Sequence, residues 1–254
     1  MGRLDGQVVI VTGGTGGIGR ASCLAIAAEG GKVTVADVSR DRIAAVVDEL
    51  GADRALGVAF DARSEEDNAG LVQATLAHFG RLDGLVSAAG ILRKRGTPPK
   101  PLIQVTLDEW DDVIDINLKG TFLSNRAVLP TLLAQHSGTI VNISSISGLV
   151  GRAHDGPYCA SKFGVVGLSQ VLAEEVRRDG VRVQVICPHA IDTPMWEQNH
   201  PVPKPGDALP PDRVAELVVT MLALPADATL LTMQIAPLGA RKRKPKPTEP
   251  VPVA

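Results

Sequence analysis

Thr12-Gly13-Gly14-Thr15-Gly16-Gly17-Ile18-Gly19 follows the β-branched run Val8 to Val11 and leads straight into a helical pattern from Ile18 to Glu29. Glycine weakens a turn unless the backbone must approach something closely. Five glycines in these eight residues therefore mark a strand-to-helix turn with bare N–H groups. Such a turn sets N–H donors and the positive end of a helix dipole where a pyrophosphate can sit. The run satisfies G-x-G-x-x-G through Gly14, Gly16 and Gly19, and T-G-x-x-x-G-x-G through Gly13, Gly17 and Gly19. A strand before it, a helix after it and Asp37 near the end of the next strand give the motif its weight.

Outward from this turn, short apolar runs alternate with longer helical patterns. The runs are Val33 to Ala36, Leu56 to Phe60, Gly84 to Ser87, Thr139 to Ile143 and Val181 to Ile186. Between them lie helices over Asp41 to Leu50, Glu65 to Phe79, Asp108 to Gln135 and Tyr158 to Arg178. This alternation predicts an α/β fold: a doubly wound parallel sheet with helices on both faces. No linker or repeat interrupts it, so residues 1–240 read as a single domain. The basic, proline-rich tail 241–254 reads as disordered.

Asp37 can accept hydrogen bonds from the two ribose hydroxyls of an adenosine, and its charge repels a 2'-phosphate. It therefore favours NAD over NADP, although Arg40 nearby can pair with that phosphate.

The only tyrosine, Tyr158, precedes Lys162 by four residues, so phenol and ammonium share one helix face. A neighbouring cation stabilises phenolate, so Lys162 is expected to lower the phenol's pKa toward neutrality. Ser145 follows the strand Thr139 to Ile143, at the end where ligands bind in open α/β sheets, and its hydroxyl can orient a substrate carbonyl. No G-x-S-x-G elbow surrounds it, which argues against acyl-enzyme chemistry.

These motifs resemble, in order and spacing, those of the classical short-chain dehydrogenase/reductase family, over about Leu4 to Met195 and more weakly to Leu238. The resemblance implies a Rossmann-like fold and an oxidoreductase that moves a hydride between NAD and a secondary alcohol or ketone. It implies catalytic roles for Asn117, Ser145, Tyr158 and Lys162. It implies cofactor contacts from Gly13, Thr15, Gly17, Ile18, Gly19, Asp37, Asp61, Ala62, Ala89, Gly90, Tyr158, Lys162, Ile191 and Thr193, with no metal. It also implies a homo-oligomer, a tetramer or dimer, built through the helices Asp108 to Gln135 and Tyr158 to Arg178. An NADP-dependent 3-oxoacyl-thioester reductase and a catalytically silent dinucleotide sensor remain open.

The chain departs from the family in three places. Ser87-Ala88-Ala89-Gly90 stands where N-N-A-G is common, removing amides that brace the sheet. Pro188-His189 stands where Pro-Gly is usual, putting the turn in doubt. Gln234-Ile235-Ala236-Pro237-Leu238-Gly239 replaces the C-terminal strand and its V-D-G-G.

Two loops stand outside the strand-helix pattern. Asp192 to Asp212 has too many prolines for regular structure and reads as a substrate lid. Ile91 to Val105 carries Arg93, Lys94, Arg95 and Lys100 without an acid, which favours a solvated loop over an anion-binding one.

Composition excludes other classes. With 26 Lys and Arg against 28 Asp and Glu, the net charge of -2 gives no field for nucleic acid. The longest stretch free of charged residues, Ala127 to Gly151, contains Pro130, His136 and Asn142, which a membrane span would not tolerate. Three cysteines without a C-x-x-C pair read as reduced thiols, and no export signal is apparent, so the expected setting is cytoplasmic.

Overall fold

Strand β1 (Val8–Thr12) is buried along its whole length, as a strand must be when helices cover both faces of its sheet. The structure is a computed structural model describing residues 2–239, so the predicted disorder of 241–254 lies outside the described residues. Strands β2 (Lys32–Asp37), β3 (Ala55–Ala59), β4 (Gly84–Ser87), β5 (Gly138–Ile143), β6 (Val181–Pro188) and β7 (Thr232–Ile235) join β1 in one sheet. All neighbours are parallel, in the order β3-β2-β1-β4-β5-β6-β7.

Alternate residues of the central strands feed separate cores on the two faces of the sheet. Val9, Val11, Val35, Val141 and Ile186 pack with Ile26 of α1 (Gly17–Ala28), Val46 of α2 (Arg40–Leu50) and Val218 and Met221 of α7 (Asp212–Leu222). Ile10, Leu85, Ile140 and Val183 pack on the other face against α3 (Glu65–Phe79), α5 (Gly120–Gln135) and α6 (Gly156–Val176), through Leu71, Leu132 and Leu172. The sheet order reverses between β1 and β4, and the crevice beyond their carboxyl ends is where such folds bind ligands.

Three elements differ from the sequence reading. The predicted helix Asp108 to Gln135 is two helices, α4 (Leu107–Ile114) and α5, joined by one π-helical turn over Asp115–Lys119 that carries Asn117. Asn117 hydrogen-bonds the backbone of Ile91 in both directions, which holds the wider turn in place. The C-terminal strand is present after all: Thr232 to Ile235 pair with Val185 to Pro188 as β7, since backbone hydrogen bonding does not need the usual side chains. Within the proline-rich segment Asp192 to Asp212, Pro194–Asn199 form a 3-10 stretch, because proline is accommodated in a first helical turn. Among the described residues no helix is long and apolar enough to cross a membrane.

Candidate active site

The glycine turn is built for an anion. Gly13 has φ +66°, and a Cβ there would lie 2.7 Å from the Ala89 nitrogen, so the turn packs directly on the backbone of the loop after β4. Helix α1 has Gly16 as its N-cap residue, with no side-chain cap and no acid in its first turn. Its first N–H groups are therefore left for a ligand. The turn thus fits a dinucleotide's pyrophosphate, with Thr15, Ile18 and the buried Gly19 in the cradle. A Cβ on Gly17 would lie 2.4 Å from Thr193, which brings the start of the proline-rich segment onto the turn.

At the end of β2, the Asp37 carboxylate accepts from the Thr15 hydroxyl at 2.6 Å, the Thr15 N–H at 3.2 Å and the Val38 N–H at 2.8 Å. Arg42, which the sequence reading did not name, lies 3.6 Å from its carboxylate. Asp61 is held by the Arg63 guanidinium at 2.7 Å, which keeps its carboxyl below the usual carboxylate range. Ala62 is buried against Gly120, leaving its backbone as what it can offer a ligand. A Cβ on Gly90 would stand 3.2 Å from Asn117 Oδ1 and 3.6 Å from Lys162 Nζ, so Gly90 keeps the floor of the crevice open. Ile191 is buried and pairs with Leu209, and its carbonyl accepts from Trp196 Nε1 at 2.7 Å.

The four predicted catalytic side chains all lie at the carboxyl end of the sheet. Tyr158 and Lys162 occupy successive turns of α6, with 8% and 5% of their surface exposed. The Lys162 ammonium donates to the Ile143 carbonyl at 2.9 Å and lies 5.8 Å from the Tyr158 ring centre. Ser145 follows β5, and its Oγ accepts from the Ser147 N–H at 3.1 Å. Asn117 Nδ2 donates to Ser161 Oγ at 3.1 Å, and Ser161 Oγ donates to the Tyr158 carbonyl at 2.8 Å.

The expected acidification of the phenol by Lys162 is not what this geometry gives. Burial pushes Tyr158 up to about 12, and only the neighbouring Ser145 hydroxyl and, more weakly, Arg152 oppose the shift. Burial also takes Lys162 down to about 8. For both groups, removal from water is the dominant effect.

The departures from the family pattern are compensated. Ser87 Oγ donates to Thr121 Oγ1 at 3.4 Å, and Thr121 Oγ1 donates to the Asn117 carbonyl at 2.7 Å. Amide bracing is supplied one strand along, where Asn142 bonds Asn125 and Ser169. His189 has no positive φ, and its N–H donates to Ile235 at 2.9 Å, so the ladder continues where glycine is usual.

Of the four cations in the basic loop, Arg95 is exposed as a solvated loop predicts, but the other three are paired with acids. Lys94 pairs with Asp108 and Asp112, Lys100 with Glu109 at 2.6 Å, and Arg93 with Asp155 at 2.8 Å. Its acids come from the following helix and the head of α6. Ser161, the Ile91 backbone and Asp155 escaped the sequence reading, because only tertiary contact distinguishes them from other residues of their types.

Fold and site together describe a dinucleotide-binding α/β enzyme. Residues 7–203 match the short chain dehydrogenase family. D-threitol dehydrogenase of Mycolicibacterium smegmatis is 37% identical over 238 residues, covering 90% of this chain and 89% of that protein. The crystal structure of levodione reductase superposes with TM-score 0.83 at 33% identity, covering 91% of this chain and 96% of the other. The 3-ketoacyl-(acyl-carrier-protein) reductase of Brucella melitensis complexed with NADH gives 0.83 at 29% identity, covering 91% and 97%. The chain belongs to the short-chain dehydrogenase/reductase family. It is a nicotinamide-dependent oxidoreductase acting on CH–OH or carbonyl groups.

Proposed function

We propose that the protein interconverts a small secondary alcohol and its ketone with NAD, using Tyr158 as acid and base. The supporting observation is the buried set of Asn117, Ser145, Tyr158 and Lys162 beside an uncapped glycine turn. When bound, the nicotinamide supplies the hydride acceptor or donor. In oxidation Ser145 orients the substrate oxygen and the Tyr158 oxygen takes its proton; in reduction Tyr158 returns it. Lys162 holds the ribose and adds positive charge near the phenol, while Asn117 ties Ile91 and α6 together. Gly13 to Gly19 hold the pyrophosphate, Asp37 the adenosine ribose, Asp61, Ala62, Ala89 and Gly90 the adenine side and floor, and Ile191 and Thr193 the carboxamide. The substrate class rests on relatives that include a polyol dehydrogenase. Exposed Phe122, Phe163 and Val171 on α5 and α6 support a homo-oligomer through those helices, and three buried free thiols support a cytoplasmic setting.

Arg42 beside Asp37 supports a second reading, an NADP-dependent 3-oxoacyl-thioester reductase. Titration with NADH and NADPH, followed by alcohol, ketone and 3-oxoacyl-thioester panels, decides between them. Tighter NADH binding with turnover of small alcohols sustains the first reading; NADPH preference with thioester reduction replaces it. Binding without turnover would mean a sensor.

A further inference from the structure

We propose that Arg93 is a positioning residue that fastens the lid to the head of the catalytic helix and so sets the substrate-side wall of the cleft. The proposal rests on the reading of Tyr158 as the catalytic acid and base.

Three segments distant in sequence meet at this side chain. Its Nη2 donates to Asp155 Oδ1 at 2.8 Å and to Asn199 Oδ1 at 2.7 Å. Asp155 stands at the start of α6, three residues before Tyr158, and Asn199 ends the 3-10 stretch of the lid. The backbone beside the guanidinium repeats the link, since the Leu92 and Arg93 N–H groups donate to Gln198 Oε1 at 2.9 and 3.4 Å. At its base the lid is closed by the Ile191 and Leu209 pairing and by the Trp196 bond to Ile191. Arg93 holds the far end.

The side chain is 10% exposed, and its buried Nε has no acceptor among the described residues. A buried ion pair adds little net stability, least of all with a donor left unpaired. What this guanidinium does provide is direction: two hydrogens on one nitrogen reach acceptors on two different segments, which fixes their separation. Through Asp155, the lid is referenced to the turn of α6 that carries the phenol.

The test uses the full-length protein in a Trp110→Phe background, where Trp196 in the lid is the only tryptophan. Acrylamide quenching then reads the lid without any substrate, in Arg93→Met, Arg93→Lys, Asn199→Ala and the Arg93→Met/Asn199→Ala double variant. The proposal expects Arg93→Met and Asn199→Ala each to raise the quenching constant on the order of twofold, as local opening of a fastened segment would. Arg93→Lys should restore part of the loss, and the double variant should be no worse than Arg93→Met alone. In steady-state kinetics KM for the alcohol or ketone should rise about tenfold, the value of one charge-assisted hydrogen bond, while the dissociation constant for NADH stays unchanged. Unchanged quenching in folded Arg93→Met, or additive effects in the double variant, would overturn the proposal. If Arg93→Met does not fold, Asn199→Ala decides alone: parent-like quenching overturns the proposal, and raised quenching sustains it. A protein that turns over no alcohol or ketone would count against the catalytic reading and leave the quenching result standing.

Discussion

The Lys162 ammonium is bound to the Ile143 carbonyl at 2.9 Å and stays 5.8 Å from the centre of the Tyr158 ring. Burial, rather than their mutual attraction, governs both groups in the protein without a bound cofactor. Tyr158 is pushed up to about 12 and Lys162 down to about 8. Oxidation needs the phenolate, so the alcohol-oxidising rate should climb with pH toward the alkaline range, and ketone reduction should be favoured at lower pH. Tyr158→Phe should cut turnover by about 10²- to 10⁴-fold, the usual worth of a general acid or base, while NADH still binds. Turnover retained in that variant would remove Tyr158 from the mechanism.

The depressed Lys162 also makes folding stability pH-dependent. Below pH 8 folded and unfolded chains both hold its proton. From about 8 to the ordinary 10.5 the unfolded chain still holds it and the folded protein has lost it, so stability from this group rises with pH. Tyr158 acts in the opposite sense from its ordinary 10.0 to about 12, where the unfolded chain ionises first and stability falls. In urea unfolding of the parent and Lys162→Met at pH 7.5 and 9, the parent should gain relative to the variant, approaching about 1.4 kcal/mol for the pH unit above 8. A pH-independent difference would mean the amine titrates normally in the fold.

In the proposed reading cofactor choice turns on Asp37, whose carboxylate is oriented by both donors of Thr15. Thr15→Val removes the hydroxyl and keeps the shape. NADH binding should weaken by about fivefold, the worth of one hydrogen bond near 1 kcal/mol. Asp37→Ser should move preference toward NADPH, and adding Arg42→Ala should reverse much of that gain, read by fluorescence titration. NADPH binding indifferent to Arg42 would place the 2'-phosphate elsewhere.

Leu132 of α5 is fully buried, and a Cβ on Gly138 would approach its side chain within 2.6 Å. Leu132→Ala leaves a cavity between α5 and the sheet that the neighbouring elements cannot close. The variant should lose about 2–5 kcal/mol in denaturant unfolding, with the NADH affinity of its folded form unchanged.

Much of the architecture could be read along the chain because its signals are local. The glycine turn from Gly13 to Gly19 carries its geometry in residue type, and short β-branched runs between helical patterns specify a parallel sheet. Helix α3 came out at its predicted bounds, Glu65 to Phe79, since Ser64 caps one end and Gly80, left-handed at φ +75°, closes the other. Tyr158 and Lys162 share a face by helical spacing alone.

Contacts between distant segments had no such local signal. The π-helical turn at Asn117 exists because Ile91 bonds its side chain, and β7 exists because β6 offers it a ladder. Nothing near Arg93 in sequence announces Asp155 or Asn199 as its acceptors, so a residue that reads as one of a run of free cations is a tied one. The sign of the Tyr158 shift was equally out of reach, because it depends on burial, and burial is decided only when helices and sheet close over the side chain. Sequence alone determined most of the strands and helices, the dinucleotide turn and the shared face of Tyr158 and Lys162, all of which follow from short-range sterics and periodicity. Tertiary structure alone decided which charges are paired, which groups lose their water and how the lid is held, because those depend on distances between residues far apart in the chain.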